Sequence, residues 1–357
     1  MASRLSTLRV ITFSVITLVL FGLAVEGLVR LFGVDTYVQN RFFILNRALD
    51  YPEVFKKDRQ LFWRFRSDRT VTSRFFEGRT YHINSMGLRG EEISNTGNLP
   101  RIITLGNSCT FGWGIPDGRT YAEQLESLLD YRYEVINGGI PGYTSYQGKM
   151  FFERYLVKLK PQIVTILYCW NDHWAAASQI PDKDQKFPPQ FILDIQNFFS
   201  RFDTYRMMKK LWLSNIEQNP DSLFNRQSPV YRVGPSDYYA NLTEICRTAR
   251  SSGIEPILLT SPIPHLDLLP PGLAGMYRFH QRYNDIIRRV AADNKVGLVD
   301  LAAEFDKYTG LWTDPAKDWI HFNADGHLLA AELIDEFISR SGNESGNNVT
   351  GPAANSN

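Results

Sequence analysis

Short runs of apolar residues alternate along most of the chain with longer segments in which apolar residues recur every three to four positions. The short runs are typical of buried β-strands, and the spaced pattern is typical of helices that bury one face. The predicted strands span residues 101–105, 133–137, 163–168, 255–260 and 297–301. The predicted helices span residues 121–129, 146–159, 238–250, 278–292 and 325–339. This alternation predicts an α/β fold in which a parallel sheet carries helices on both faces.

The pattern is different near the N-terminus, where residues 10–25 are uncharged and mostly apolar. Extended to residue 34, the stretch is long enough to span a bilayer, although Glu26 and Arg30 interrupt its last part. These two side chains are four residues apart and could pair at the membrane interface. A cleaved signal peptide is the competing interpretation. We expect an uncleaved membrane anchor over residues 1–33, because no clear Ala-x-Ala cleavage site follows the stretch.

The charges around this stretch indicate an orientation. Arg4 and Arg9 precede it and favour a cytoplasmic N-terminus by the positive-inside tendency, although Arg30, Lys56 and Lys57 weaken that signal. We therefore expect a single-pass membrane protein whose main domain lies outside the cytoplasm, in the periplasm or at the cell exterior.

Composition excludes several classes of function. The net charge of +1 and the lack of any arginine-rich tract argue against a nucleic-acid partner. Three cysteines cannot form a disulfide framework, and no Cys-x-x-Cys motif or histidine cluster indicates a metal site. We expect neither a cofactor nor a metal.

A serine and an Asp-x-x-His motif carry the candidate chemistry. Ser108 follows the first strand of the alternating region, and Asp318 and His321 lie near the other end of the chain. Serine is a poor nucleophile until a base takes its proton, and the histidine needs a carboxylate to hold its tautomer. These residues are the predicted nucleophile, base and orienting acid of a hydrolase. Thr110 stands where the Gly-x-Ser-x-Gly elbow has its second glycine, which argues against an α/β-hydrolase.

Four segments, in order, resemble the four sequence blocks of the SGNH hydrolases, also called GDSL esterases and lipases. They are residues 106–114, 137–142, 170–172 and 318–321, and the resemblance spans about residues 101–340. The leader before them resembles that of membrane-anchored bacterial members of this superfamily. The family resemblance implies a three-layer α/β/α sandwich with a flavodoxin-like parallel sheet.

The same resemblance implies the roles of individual residues. Ser108, His321 and Asp318 would form the catalytic triad. The oxyanion hole would combine the backbone N–H groups of Ser108 and Gly142 with the side-chain amide of Asn171.

Two positions depart from the family pattern. Asn107 replaces the usual aspartate, and we expect the loop to survive because asparagine keeps one acceptor. Trp170 replaces a glycine, and we expect it to narrow or roof the pocket.

Three further residues, each close in sequence to a candidate site residue, carry groups that could be mistaken for catalytic ones. Cys109 adjoins the nucleophile, and we expect its side chain to point to the other side of the backbone. His327 is predicted to be structural, in the first turn of the last helix. His173 could line the site or serve its loop.

Three further segments complete the predicted organisation. Residues 34–100 are predicted to form a small β-rich extension that packs on the main domain, with a partner or polysaccharide surface as the alternative. Residues 173–235 form an insertion with a basic, apolar helical stripe, and it begins at the edge of the candidate site. It could pack on the domain, which we favour, form a lid, or dock on a membrane surface. The stripe of this insertion consists of Ile195, Phe198, Phe202, Tyr205, Met208 and Trp212, interleaved with Arg201, Arg206, Lys209 and Lys210.

The C-terminal segment, residues 341–357, is predicted to be disordered.

The resemblance implies a serine esterase that works through an acyl-enzyme. The expected substrate is an O-acyl ester, above all an O-acetyl ester on a cell-envelope carbohydrate, and the expected partners are this acylated substrate and the membrane. An O-acyltransferase that acts on a polysaccharide, a lipid esterase and a noncatalytic envelope-binding module remain alternatives.

Overall fold

A computed structural model describes residues 7–41, 50–94, 97–176, 179–214 and 230–347. The chain divides into two units. Unit 1 comprises Met1–Trp63 and Phe187–Gln227, and unit 2 comprises Arg64–Lys186 and Ser228–Asn357. The division falls inside both the predicted extension and the predicted insertion, because segments far apart in sequence pack together.

The strands and helices are as follows. The nine strands of the described residues are β1 (Phe55–Asp58), β2 (Phe62–Phe65), β3 (Arg69–Thr72), β4 (Thr80–Ile83), β5 (Arg101–Gly106), β6 (Glu134–Gly139), β7 (Ile163–Leu167), β8 (Glu255–Leu259) and β9 (Gly297–Val299). The first six helices are α1 (Thr7–Leu31), α2 (Val34–Arg41), α3 (Ser108–Phe111), α4 (Tyr121–Leu128), α5 (Ser145–Arg154) and α6 (Gln190–Phe199). The others are α7 (Asp203–Ser214), α8 (Pro235–Ser251), α9 (Ala274–Asn294), α10 (Leu301–Phe305) and α11 (Ala324–Asn347). Single 3₁₀ turns occur at Arg74–Phe76, Leu156–Leu159, Asp182–Asp184 and Leu266–Leu268.

Unit 2 is built on a five-stranded parallel sheet with the order β6-β5-β7-β8-β9. Numbered within the sheet, this is the flavodoxin-like order 2-1-3-4-5. Helix α4 packs with α11, while α8 packs with α5 and α9, so two helical layers enclose the sheet. The predicted α/β fold is confirmed, and all five sheet strands lie where the apolar runs predicted them. The carboxyl ends of β5, β6 and β7 meet at the switch point, where such sheets bind ligands.

The first part of unit 2 is a β-hairpin and a loop. Strand β3 pairs with β4 antiparallel, with Arg69 opposite Ile83. The loop then brings Arg89 into bridges with Ile83 at the end of β4 and with Asn137 in β6. Residues 64–94 thus share a unit with the central sheet.

Unit 1 contains α1, which is fully exposed over its apolar part. Among the described residues, α1 is the one helix long and apolar enough to cross a membrane, a test that a signal sequence also passes. Near its end, Arg30 Nε lies 2.8 Å from Glu26 Oε1, as the four-residue spacing predicted. Helix α7 packs against α1 and α2, and α6 packs against β1. The whole helical stripe of the insertion therefore belongs to the same unit as α1.

The last helix extends further than predicted. Helix α11 ends at Asn347, inside the segment predicted to be disordered, although Gly and Ser are weak helix formers. The rest of that segment lies outside the described residues.

Candidate active site

Ser108 is the first residue of α3, directly after β5. Asn107 caps this helix, since its Oδ1 accepts the N–H of Cys109 at 2.9 Å. Asparagine at this position thus supplies the one acceptor that the loop needs, as expected from its shape.

Two glycines allow α3 to approach the sheet closely. A Cβ at Gly106 would overlap Thr110 Oγ1 and lie 2.7 Å from the carbonyl oxygen of Leu167. A Cβ at Gly139, at the end of β6, would overlap the backbone nitrogen of Phe111. Only glycine leaves room for the backbone at both positions.

Ser108, His321 and Asp318 are brought together across more than two hundred residues. His321 Nε2 lies 2.8 Å from Ser108 Oγ, and His321 Nδ1 lies 2.8 Å from Asp318 Oδ2. The other carboxylate oxygen, Asp318 Oδ1, accepts the backbone N–H groups of Ile320 at 3.0 Å and His321 at 3.1 Å. The carboxylate therefore holds both the imidazole and the turn that carries it.

The electrostatics keep Asp318 ionised. Partial burial opposes its charge, but hydrogen bonds from the His321 ring and from two backbone N–H groups outweigh burial and lower the pKa of Asp318. The Asp318 side chain is 44% exposed, against 15% for His321. An ionised carboxylate beside Nδ1 favours the tautomer in which Nε2 accepts a proton from the serine.

Cys109 takes no part in this chain of contacts. Its Sγ donates to the carbonyl oxygen of Ile320 at 3.4 Å, and the residue is buried. Burial strongly raises the pKa of the thiol, so it is not a thiolate at neutral pH.

Gly142 and Asn171 follow β6 and β7, the two neighbours of β5. Gly142 has a φ of +83°, a backbone conformation that favours glycine. Its carbonyl oxygen accepts a hydrogen bond from the Arg232 guanidinium at 2.9 Å. The amide of Asn171 donates to the carbonyl of Tyr143 at 3.0 Å. This bond uses one of the two amide protons and joins the loop after β6 to the loop after β7.

Asp172, next to Asn171, serves a buried structural contact. Its Oδ1 accepts the N–H of Ser145 at 2.7 Å in the first turn of α5. Burial raises the pKa of Asp172 from 3.8 to about 7, against the lowering effect of the hydrogen bonds from Ser145 and the charge of Arg232.

Two residues without a predicted role, Trp113 and Arg89, contact the predicted triad histidine and the loop after Ser108. Trp113 stacks on His321, with ring centroids 5.7 Å apart at 25°. Arg89 is buried, and its guanidinium donates to the carbonyls of Phe111, Gly112 and Ile115 at 2.7–2.9 Å. It thereby holds the loop that follows Ser108. An arginine after a hairpin carries no sequence signal for this role, because its partners are backbone atoms.

His327 is structural, as predicted. It lies buried in the first turn of α11, where its Nδ1 accepts the N–H of Tyr121 at 3.0 Å. Burial lowers the pKa of His327 well below its usual value. A neutral ring is what this acceptor role requires.

Cys169, His173 and His280 form the one group among the described residues with metal-ligating atoms close together. His280 Nε2 lies 2.8 Å from the carbonyl oxygen of Ser261, so it must donate there, and His173 Nε2 lies 3.1 Å from His280 Nδ1. Burial lowers the pKa of His280 to about 4. These neutral rings satisfy each other by hydrogen bonding, and a metal could bind only if His173 gave up its Nε2 proton. His173 therefore supports the core.

Trp170 belongs to the same buried region, which corrects the expectation that it roofs the pocket. It is 1% exposed and packs against His280 with ring centroids 4.2 Å apart. The indole belongs to the hydrophobic core cluster that includes Leu167, Ile257 and Ile263.

Residues 104–329 match the model of the GDSL-like Lipase/Acylhydrolase family. No curated protein matches the sequence.

Three solved structures are among those similar to this chain. A lipase/acylhydrolase from Enterococcus faecalis has 18% identity and a TM-score of 0.45, covering 68% of this chain and 97% of its own. An acetyl xylan esterase from Geobacillus stearothermophilus has 19% identity and a TM-score of 0.44, covering 67% and 94%. A GDSL-like lipase from Bacteroides thetaiotaomicron has 18% identity and a TM-score of 0.42, covering 71% and 93%.

Proposed function

Because the chain belongs to the GDSL-like lipase/acylhydrolase family and is therefore an ester-hydrolysing enzyme, we propose that Ser108, His321 and Asp318 are its catalytic triad. The observation that carries the proposal is the continuous path of two 2.8 Å contacts from Ser108 Oγ through the imidazole to the Asp318 carboxylate. Nucleophile, base and orienting acid are then within hydrogen-bond reach before substrate arrives.

The reaction proceeds in two halves. Ser108 Oγ attacks the ester carbonyl while His321 Nε2 takes its proton, and the same nitrogen returns that proton to the leaving alcohol. Water then attacks the acyl-enzyme with His321 again as base, which releases the acid and restores the serine. Asp318 stabilises the imidazolium in both halves without accepting its proton.

The oxyanion hole in this proposal combines the N–H groups of Ser108 and Gly142 with the Asn171 amide. The position of these residues after three adjacent strands supports the assignment. So does the second amide proton of Asn171, which has no acceptor among the described residues. Removing one such donor typically costs about 100- to 1000-fold in rate.

Hydrolysis is favoured over acyl transfer by the exposure of the triad. The Asp318 side chain is 44% exposed, so water has access to this end of the site. Acyl transfer requires that water be kept from the acyl-enzyme.

The proposed substrate is an O-acetyl ester on a cell-envelope carbohydrate. Support comes from location: we take α1 as an uncleaved anchor with a cytoplasmic N-terminus, which would set the enzyme beside acylated envelope polymers. A reporter enzyme that is active only in the periplasm tests this topology when it is fused to the C-terminus, and it should be active there. Activity of a reporter that works only in the cytoplasm, fused at the same position, would contradict the topology.

The test of the chemistry uses the full chain in detergent micelles and p-nitrophenyl esters of increasing acyl length. Ser108→Ala should abolish turnover and labelling by a fluorophosphonate, and acetyl esters should be cleaved faster than long-chain esters. The matched control is Cys109→Ala, which alters the neighbouring thiol and should keep both activities. Turnover that survives Ser108→Ala would refute the triad, and a preference for long chains would refute the acetyl substrate. Acetate release from an O-acetylated polysaccharide then tests the carbohydrate directly.

A further inference from the structure

Helices α6 and α7 of unit 1 are amphipathic in the reverse sense to that of a helix in water. Their exposed sides carry large apolar residues at helical spacing, which we call the aromatic face: Phe191, Ile195, Phe198 and Phe199 of α6, and Met208 and Trp212 of α7. These side chains are 45–63% exposed. The charged residue at the edge of the α6 part is Asp194, whose carboxylate accepts a hydrogen bond from Gln190 at 2.9 Å.

The buried sides of both helices carry polar residues that are paired, and in α6 the apolar Leu193 is buried beside them. In α6, the Asn197 amide bonds both backbone groups of Lys57, at 2.7 and 3.0 Å. In α7, Arg206 pairs with Asp35 at 2.8 Å, and buried Lys210 pairs with Asp50 at 2.9 Å.

This arrangement indicates that the surroundings of the aromatic face are not water. A surface helix in water turns its apolar stripe to the core and its charges outward, and contiguous exposed apolar patches mark sites of interaction. Here the two helices bury paired polar groups beside Leu193 and leave large apolar residues, aromatic rings among them, exposed.

We propose that the aromatic face of α6 and α7 lies in the head-group region of the bilayer that α1 crosses. The proposal rests on the anchor that we have assigned to α1. It adds a second contact with the membrane, so that unit 1 is held against the lipid surface instead of being tethered by one helix.

The connection between α1 and α7 selects the bilayer as the occupant. The Glu26 carboxylate of α1 accepts the backbone N–H groups of Asp203 at 2.8 Å and Thr204 at 3.0 Å, at the start of α7. The part of α1 before Glu26, residues 7–25, is about 28 Å long at 1.5 Å per residue, close to the thickness of the hydrocarbon core. Glu26 therefore reaches the membrane boundary, and the start of α7 lies at the same level.

Cations border the aromatic face. The Lys209 ammonium lies 5.2 Å from the Trp212 ring centre, and the Arg201 guanidinium lies 5.9 Å from that of Phe198. Aromatic rings with long basic side chains beside them are typical of membrane interfaces, where the ring lies among head groups and the cation reaches the phosphates.

The test places a single environment-sensitive fluorophore on the full-length protein in vesicles of phosphatidylcholine and phosphatidylglycerol. The labelled variants are Phe198→Cys and Trp212→Cys on the aromatic face and Leu18→Cys in α1. The matched control is Tyr308→Cys, an exposed aromatic position of unit 2 beside exposed Asp306 and Lys307. The three native cysteines are buried, so the unmodified protein measures background labelling. Spin labels on the lipid at the head group or deep in the acyl chain report depth.

We expect the labels at positions 198 and 212 to lose fluorescence to the head-group spin label, and the label at position 18 to lose it to the deep one. The label at position 308 should keep its fluorescence. If position 18 is deep but positions 198 and 212 behave like position 308, the docking proposal is wrong and the anchor stands. A blue shift at 198 and 212 without lipid-dependent quenching would also overturn it, in favour of a protein partner or a second copy. If position 18 is not in the bilayer, the anchor and the docking fail together. Turnover of p-nitrophenyl acetate by the same variants reports on the triad separately.

Discussion

Arg89→Met should destabilise unit 2 and slow the enzyme, although Arg89 contacts no triad residue. The guanidinium donates to the carbonyls of Phe111, Gly112 and Ile115 and to the carboxylate of Asp117. Methionine fills much of the same space and removes every donor. Three buried carbonyls then lack this partner in the loop that follows the nucleophile.

The magnitude follows from burial. The carbonyls of Gly112 and Phe111 keep a second partner, the N–H of Ile115 at 3.1 Å and the Asn137 amide at 3.4 Å, whereas the Ile115 carbonyl keeps none among the described residues. An unsatisfied buried carbonyl costs about 1–3 kcal/mol and a lost hydrogen bond to a charged group about 1.5–3 kcal/mol, so the three losses together should lower the free energy of unfolding by at least about 3 kcal/mol. The ion pair with Asp117 contributes little, because that carboxylate is 51% exposed and such pairs are worth up to about 1 kcal/mol. Asp117→Asn is therefore the matched control. A shift of α3 by a fraction of an ångström should also lower kcat, by up to about 100-fold.

The assay is urea unfolding followed by tryptophan fluorescence, which reports mainly on unit 2 because only Trp63 and Trp212 lie in unit 1. At a slope of about 3 kcal/mol per molar urea, Arg89→Met should lower the midpoint by about 1 M, and Asp117→Asn by much less. Equal midpoints for the two variants would refute the claim that the carbonyl contacts stabilise the loop.

Three further outcomes are expected. The pKa of Asp172 is about 7 in the folded protein, against an ordinary value of 3.8. Between pH 3.8 and 7 the folded state therefore binds a proton on Asp172 that the unfolded state has lost. The free energy of unfolding should fall as the pH rises through this range, by up to about 4 kcal/mol. Asp172→Asn keeps the acceptor for Ser145 and should flatten the pH profile of the urea midpoint; an unchanged slope would exclude Asp172 as its source. Asp318→Asn should lower kcat by about 10³- to 10⁴-fold with little change in KM, because the imidazole loses the acceptor that sets its tautomer; wild-type kcat would argue against the orienting role. Gly139→Ala should displace α3 and abolish activity. Gly275→Ala is the control and should leave activity intact, because a Cβ there meets nothing within 4 Å. Two equally active variants would show that the close approach of α3 to the sheet is not required.

The local patterns of the sequence predicted the sheet and the reactive groups because they depend on near neighbours. An apolar run that ends in Gly106 identifies a strand whether or not its partners are known. The three-residue spacing of Asp318 and His321 already puts both side chains on one turn, which is the geometry observed at 2.8 Å.

Contacts between distant segments could not be predicted in this way. Arg89 acts on backbone carbonyls, His280 meets His173 from a helix more than a hundred residues away, and Trp170 packs inward on that pair. No spacing rule connects such positions.

The helical stripe of the insertion was decided partly by the sequence and partly by the tertiary structure. The sequence predicted a helical stripe over residues 195–212, because periodicity is a local property of the chain, and the structure has two helices there, α6 and α7. The sequence could not determine which side faces inward, since Asn197, Arg206 and Lys210 are stable inside only where Lys57, Asp35 and Asp50 meet them. Burial of a polar group is favourable only with a partner, and the tertiary structure alone supplies that partner.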